Sequence, residues 1–149
     1  MPGAPSDLLI GVGNTLRRDD GAGHQIAERA AAVVPGVECL LAHQLDITMV
    51  EKCAGRRRLV IADVSVEDLE EEVWLRRIVP TPWSFPHAHA LSPQTLLSLI
   101  NSIHGRAPEA WLATVLGHEF GLGETLSPRC SRAVAQMVPR VVALLGSTR

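Results

Sequence analysis

Short apolar runs alternate with longer stretches of helical periodicity along this chain. Residues 8–12 and 59–63 are strongly apolar, and such runs are typical of strands buried on both faces of a parallel sheet. Residues 37–42, 72–79 and 111–117 complete five predicted strands. Charged residues interrupt the apolar pattern of 72–79, so this strand is expected nearer the edge of the sheet.

Apolar residues recur at helical spacing between the predicted strands. One stripe covers residues 22–34, and a shorter stripe covers residues 47–54. Ser92 and Ser127, each followed by proline, open two more predicted helices. A serine oxygen accepts from the free amides of a first helical turn, and proline fits the first helical position.

The alternation of strands and helices predicts an α/β fold. We expect a three-layer sandwich, with an open, mostly parallel, twisted sheet of about five strands and helices on both faces. With 149 residues, 46% of them hydrophobic, the chain suits a single domain over residues 1–149.

Net charge, apolar runs and cysteine content limit which binding partners and which cellular location we expect for the protein. The net charge of −2 argues against nucleic acid, and the short basic run 56–58 is interpreted as a solvated turn. No apolar run approaches the roughly 18 to 20 residues of a membrane span, and the N-terminus does not resemble a signal peptide. Three widely spaced cysteines indicate neither a disulfide framework nor a zinc site. We therefore expect a cytoplasmic protein.

Three polar residues follow predicted strands, where ligands bind in an open α/β sheet. Asp20 comes after the first strand, Asp63 ends the third, and His89 lies in the loop after the fourth. Two carboxylates and one imidazole can hold a first-row divalent metal and leave coordination positions open for a substrate. The sequence therefore predicts a metal site at this end of the sheet.

Each of these residues also has a simpler interpretation. Asp19 or Asp20 is well placed to cap the first helix, and both roles are compatible for neighbouring acids. A carboxylate at the end of an apolar strand is costly unless something pairs with it, which favours a functional role for Asp63. His87 lies two residues before His89, and the chemistry does not decide between these two histidines.

The glycines after the first strand suggest a close turn. Gly11 and Gly13 are similar to a dinucleotide-binding fingerprint, but Leu16 stands where its third glycine is expected. We instead predict that these glycines let the backbone turn sharply and approach a bound group, with Asn14 bonding to the loop or adopting a left-handed conformation. A nucleotide-binding α/β module remains an alternative.

The segment Gly-Val-Gly-Asn-Thr-Leu-Arg-Arg-Asp-Asp-Gly at 11–21 resembles the opening motif of the hydrogenase maturation proteases, Gly-x-Gly-Asn-x-Leu-x-x-Asp-(Asp/Glu)-Gly. Further segments resemble later blocks of that family in the same order. They are residues 43–45, 59–63, 89–93 with Leu96 and Leu97, and 126–128. The resemblance thus covers nearly the whole chain.

The resemblance implies an endopeptidase that removes the C-terminal extension of a nickel-iron hydrogenase large subunit after nickel insertion. It places the metal-contacting and catalytic residues at Asp20, Asp63 and His89. The nickel would come with the large-subunit precursor, so neither an organic cofactor nor a permanent metal is implied. A non-catalytic protein that checks metal loading of the hydrogenase is a further alternative.

Overall fold

A computed structural model describes residues 6–67, 70–82 and 90–147. Five strands form one sheet in the order β2-β1-β3-β5-β4. Four strands are parallel, and β4 lies antiparallel at an edge, as its charged residues predicted. The strands are β1 (Leu8–Val12), β2 (Glu38–Ala42), β3 (Arg58–Ser65), β4 (Val73–Ile78) and β5 (Glu109–Leu116).

Helices cover both faces of the sheet, which confirms the three-layer prediction. Helices α1 and α4 lie on one face, and α2 and α3 lie on the other. They are α1 (Ala22–Ala31), α2 (Val50–Cys53), α3 (Pro93–His104) and α4 (Pro128–Gly146). Ser92 and Ser127 cap α3 and α4 as predicted, because their side chains accept from backbone N–H groups of the first turn. No described helix is both long and apolar enough to cross a membrane.

The central strands are buried on both sides. Leu9 and Val60 belong to the core beneath α1 and α4, whereas Leu8, Ile10 and Ile61 belong to the core beneath α2 and α3. Burying each such side chain stabilises the fold by about 1.5–3 kcal/mol. This two-sided burial explains why the strands read as continuous apolar runs in the sequence.

Two predicted boundaries near the site are wrong. Strand β3 continues past Asp63 to Ser65, because β5 pairs with it as far as Leu116. A 3-10 turn over Arg18–Gly21 precedes α1, and Gly21 occupies the cap position without a side-chain hydrogen bond. Neither Asp19 nor Asp20 therefore caps α1.

The interpretation of residues 56–58 as a solvated turn is wrong for Arg58. Arg58 belongs to β3, is buried, and forms an ion pair of 3.1 Å with the buried Asp7. It also donates to the carbonyl oxygens of Leu144 and Leu145, which end α4. Arg57 is half exposed and forms a second ion pair with Asp7. These contacts fasten the start of the sheet to the last helix.

We expect Asp7→Asn to lower the free energy of unfolding by about 3 kcal/mol at pH 7, because it leaves the buried Arg58 without a counter-charge. Burial by itself raises the pKa of Asp7, but the hydrogen bonds and charges of Arg57 and Arg58 outweigh it, and the pKa is lowered from 3.8. The stabilisation is thus present above pH 4 and lost as the pH falls through the lowered value. Urea denaturation between pH 3 and pH 7 measures it.

A matched control removes a different carboxylate from the same region. Glu38 pairs with Arg56 but is more than half exposed, so Glu38→Gln is expected to cost less than about 1 kcal/mol. If the loss in free energy of unfolding caused by Asp7→Asn stayed constant down to pH 3, the ionised Asp7 carboxylate would not be the source of the stability.

Candidate functional site

The order of the strands creates a crevice between β1 and β3. After β1 the chain crosses to β2 on one side, and it later returns as β3 on the other side of β1. Ligands bind at such a switch point, beyond the carboxyl ends of the strands. The pairing of β1 with β3 ends at Gly11 and Ala62, one residue before Asp63. Asp63 therefore stands where the crevice opens.

The first turn of α1 lies directly on this crevice. A Cβ atom on Gly23 would come within 2.4 Å of the carbonyl oxygen of Ala62 and 2.5 Å of that of Val12. Only glycine allows a helix to approach both strand ends so closely. The contact fixes the start of α1 relative to β1 and β3.

Asp20 is held at the end of β1 by a turn that folds back on itself. Its Oδ2 accepts from the backbone N–H of Asn14 at 3.0 Å. Gly13 has φ of 139°, and a Cβ there would lie 1.9 Å from the carbonyl oxygen of Asp20. The Asn14 side chain accepts from the N–H of Leu16 at 2.9 Å. The sharp turn at Gly13 and the bonding of Asn14 to the loop are thus as predicted.

Asp63 and Asp20 come close enough for their charges to repel. Burial and, to a smaller extent, the charge of Asp20 raise the pKa of Asp63 to about 6. The Val64 N–H, which donates to Asp63 Oδ1 at 2.7 Å, opposes this rise. Two neighbouring carboxylates destabilise one another unless a proton or a cation compensates them. The structure therefore brings together two of the three predicted site residues.

The third predicted residue, His89, lies outside the described residues, as does His87. Within the described part of the chain, no three His, Cys, Asp or Glu side chains meet in a way that could hold a metal ion. The imidazole ligand and the choice between the two histidines stay predictions.

An open cleft of about 490 Å³ extends from Asp63 along the sheet. Exposed residues of β4 form one wall, where the Arg76 guanidinium lies 5.0 Å from the centroid of the Trp74 ring. Pro93, at the start of α3, forms part of another wall. Pockets of this volume hold ligands of the size of a short peptide, so the cleft has room for more than an ion.

Asp19 is the residue whose role the sequence analysis missed. It is fully buried, and its carboxylate accepts from the N–H groups of His118 (2.8 Å), Glu119 (2.9 Å) and Ser127 (2.6 Å) and from Ser127 Oγ (2.7 Å). Burial alone raises the pKa of Asp19, but these hydrogen bonds outweigh it, and the pKa is lowered. Asp19 thus joins the turn 14–20 to the loop 117–127, and we call these two segments the paired loops.

The only sequence signal for this clamp was an acidic pair in a turn, which equally suits a helix cap. In the structure Arg18 has φ of 47°, a left-handed conformation that is uncommon for a residue with a side chain. Of the two acids that follow it, Asp19 bonds to the loop 117–127 and Asp20 bonds to Asn14. Two adjacent acids thereby acquire different partners.

Several solved structures of known proteins superpose on this chain over nearly its whole length. The hydrogenase maturating endopeptidase HybD from E. coli superposes with a TM-score of 0.74 and 22% identity, over 94% of this chain and 91% of that one. The hydrogenase maturation protease HycI from Thermococcus kodakarensis gives 0.73 and 22%, over 97% and 95%. A hydrogenase 2 maturation peptidase from a Thaumarchaeota archaeon gives 0.65 and 17%, over 95% and 98%.

The chain has the fold of the hydrogenase maturation proteases. This confirms the fold that the sequence resemblance implied. No model of a known protein family matches the sequence, and no curated protein matches it. The likeness to the maturation proteases is therefore carried by tertiary structure and by short motifs.

In this maturation-protease fold, three of the segments that carried the resemblance lie at the end of the sheet where the crevice opens. Residues 11–21 span the end of β1, the turn and the start of α1, and residues 59–63 lead into the crevice. Residues 126–128 begin α4 beside the loop that Asp19 holds. His24, on α1, contacts the carbonyl oxygen of Ala42 at the end of β2 through Nε2 at 2.9 Å, which indicates a structural role.

Proposed function

We propose that this chain is a cytoplasmic endopeptidase that removes the C-terminal extension of a nickel-iron hydrogenase large subunit after nickel insertion. The fold that it shares with proteins named as hydrogenase maturation proteases supports this function. The observation that carries the proposal is the pair of mutually repelling carboxylates, Asp20 and Asp63, at the switch point of that fold.

The nickel of the precursor is the recognition element in this proposal. Asp20, Asp63 and His89 would contact it while it is still bound to the large subunit. A divalent cation relieves the repulsion between two carboxylates, and carboxylate and imidazole both suit first-row metals. The nickel is therefore part of the substrate, and the protease needs no organic cofactor.

Peptide hydrolysis at this site needs a water molecule, a cation and a group that accepts a proton. A water oxygen bonds to the carbonyl carbon, the C–N bond breaks, and the leaving amine takes up a proton. A nearby cation polarises the carbonyl group or favours ionisation of the water. A carboxylate within hydrogen-bond reach of the water can accept its proton. The open cleft beside Asp63 gives the extension room to enter.

The geometry disfavours the nucleotide-binding alternative. In that scheme a phosphate would need free backbone amides in the turn between β1 and α1. Here the Asp20 carboxylate already accepts a hydrogen bond from the backbone N–H of Asn14. Asp63 adds a second acidic group in the crevice. Two acids at this position repel a polyphosphate.

Mixing the purified chain with nickel-loaded large-subunit precursor is expected to release the C-terminal extension, as measured by mass spectrometry. Nickel-free precursor should stay intact. Asp20→Asn and Asp63→Asn are expected to lower the cleavage rate by about 100-fold or more, because each removes a charge that contacts the metal. His89→Ala should behave like these variants, whereas His87→Ala should cleave at nearly the wild-type rate.

Glu28→Gln provides the control, because Glu28 is an exposed acid on α1 outside the crevice. Normal cleavage by both aspartate variants would overturn the proposed roles. Formation of a complex with no change in precursor mass would instead identify the chain as a non-catalytic check on metal loading.

A further inference from the structure

Two leucines are exposed on the paired loops beside the crevice. Leu16 is 56% exposed and Leu122 is 92% exposed. A parallel bridge joins Arg17 to Gly123, the residues that directly follow these two leucines. The backbone hydrogen bonds of this bridge hold the two segments side by side. Leu16 and Leu122 therefore both belong to the exposed surface of the paired loops.

The backbone under these leucines is firmly held. The N–H of Arg18 donates to the carbonyl oxygen of Gly123 at 2.7 Å, and the N–H of Gly123 donates to that of Leu16 at 2.9 Å. Arg18 and Glu119 form an ion pair of 2.8 Å, and the buried Asp19 clamps the base of both loops. The backbone of both loops is therefore ordered before binding, which avoids the cost of ordering a flexible loop.

The surroundings of the two leucines resemble a protein interface. Exposed charged residues, among them Arg17, Glu119 and Glu124, lie on the same two loops. An apolar centre with a polar rim is the usual arrangement of such contacts. Leu16 also precedes Asp20 by only four residues in the same turn, so a protein whose peptide reaches Asp20 must approach this surface.

We propose that Leu16 and Leu122 are the docking anchors for the large-subunit precursor, and that they insert into an apolar recess next to its C-terminal extension. This inference rests on the proposed function and specifies how the substrate is selected. The partner is a folded protein rather than a short peptide alone, because the anchors stand outside the cleft that would receive the peptide. Docking through the anchors then delivers the extension to the crevice.

Matched control positions lie at the opposite end of the sheet from the crevice, where the parallel strands begin. Val33 follows the end of α1 and is 63% exposed, and Ile103 lies in the last turn of α3 and is 57% exposed. Both helices begin at the end of the sheet that carries Asp20 and Asp63. Their C-terminal ends therefore lie far from the crevice. Replacing these two residues removes similar apolar surface without touching the anchors.

The test compares Leu16→Ser/Leu122→Ser with Val33→Ser/Ile103→Ser on nickel-loaded precursor. We expect the anchor variant to raise KM by about 100-fold, and each single change by about 10-fold, with a much smaller change in kcat. The control variant should stay within about twofold of wild type. Urea denaturation of each variant shows whether its fold is intact.

A binding assay separates this inference from the proposed function. Dissociation constants for the precursor are measured on the Asp63→Asn background, where cleavage is expected to be at least about 100-fold slower. Should wild type cleave while the anchor and control variants share one KM, the docking role is wrong and the protease function stands. Should wild type bind without cleaving, and the anchor variant bind about 100-fold more weakly, docking stands and the protease function fails. A wild-type dimer that the anchor variant dissociates would reassign the surface to self-association.

Discussion

Asp63→Asn is expected to stabilise the metal-free protein while it lowers the cleavage rate by about 100-fold or more. Burial and, to a smaller extent, the charge of Asp20 together raise the pKa of Asp63 to about 6, so the folded protein disfavours the ionised carboxylate. Asparagine has a similar shape, can still accept from the N–H of Val64, and carries no charge. The free energy of unfolding at pH 7.5 should therefore rise by about 2 kcal/mol.

The pH dependence identifies the cause of this gain. Because the folded pKa of Asp63 lies above its ordinary value of 3.8, the wild-type penalty is absent below about pH 4 and grows as the pH rises to 6. The advantage of Asp63→Asn should thus appear between pH 4 and pH 6 and stay constant above. Urea denaturation in the presence of a chelator measures it.

Glu67→Gln serves as the control for this measurement, because Glu67 lines the same cleft but is exposed. It should change stability by less than about 0.5 kcal/mol. A less stable Asp63→Asn variant would indicate that Asp63 is part of a structural network instead. A gain in stability together with a loss of activity is the behaviour of a residue kept for function.

Asp19→Asn is expected to lower the free energy of unfolding by about 3 kcal/mol, as much as Asp7→Asn. The Asp19 carboxylate is buried and accepts four hydrogen bonds, three of them from backbone amides. An asparagine side chain has one oxygen, and its NH₂ group would face N–H donors. Buried donors are then left without acceptors, and each costs about 1–3 kcal/mol.

Two measurements test the Asp19 clamp. Thermal unfolding should show a midpoint lower by about 10 °C, since 1 kcal/mol corresponds to roughly 2–4 °C for a chain of this size. Hydrogen exchange should accelerate at the amides of His118, Glu119 and Ser127 and stay unchanged in β1. Asp46→Asn is the control, because Asp46 caps an exposed turn through the N–H of Thr48 and asparagine caps about as well as aspartate. It should cost less than about 0.5 kcal/mol. Unchanged exchange in the loop 117–127 would refute the clamp.

The sequence by itself determined the framework and the approximate place of the site. Apolar runs and helical spacing are local patterns, so they predicted the five strands, the caps at Ser92 and Ser127 and the edge position of β4. Carboxyl ends of parallel strands meet at one edge of a sheet, so Asp20 and Asp63 were predicted to lie close together without knowledge of their contacts.

Tertiary structure decided which neighbouring residue does what. Asp19 and Asp20 are chemically identical, yet the partners of Asp19 lie 99 to 108 residues away, and no local pattern identifies them. Arg58 is buried because Asp7 and the end of α4 reach it from distant parts of the chain. Burial and hydrogen bonding depend on what the folded chain places around a side chain, whereas periodicity depends only on its neighbours in sequence. The pairing of a clamp at Asp19 with a charged crevice at Asp20 and Asp63 is therefore a property of the fold.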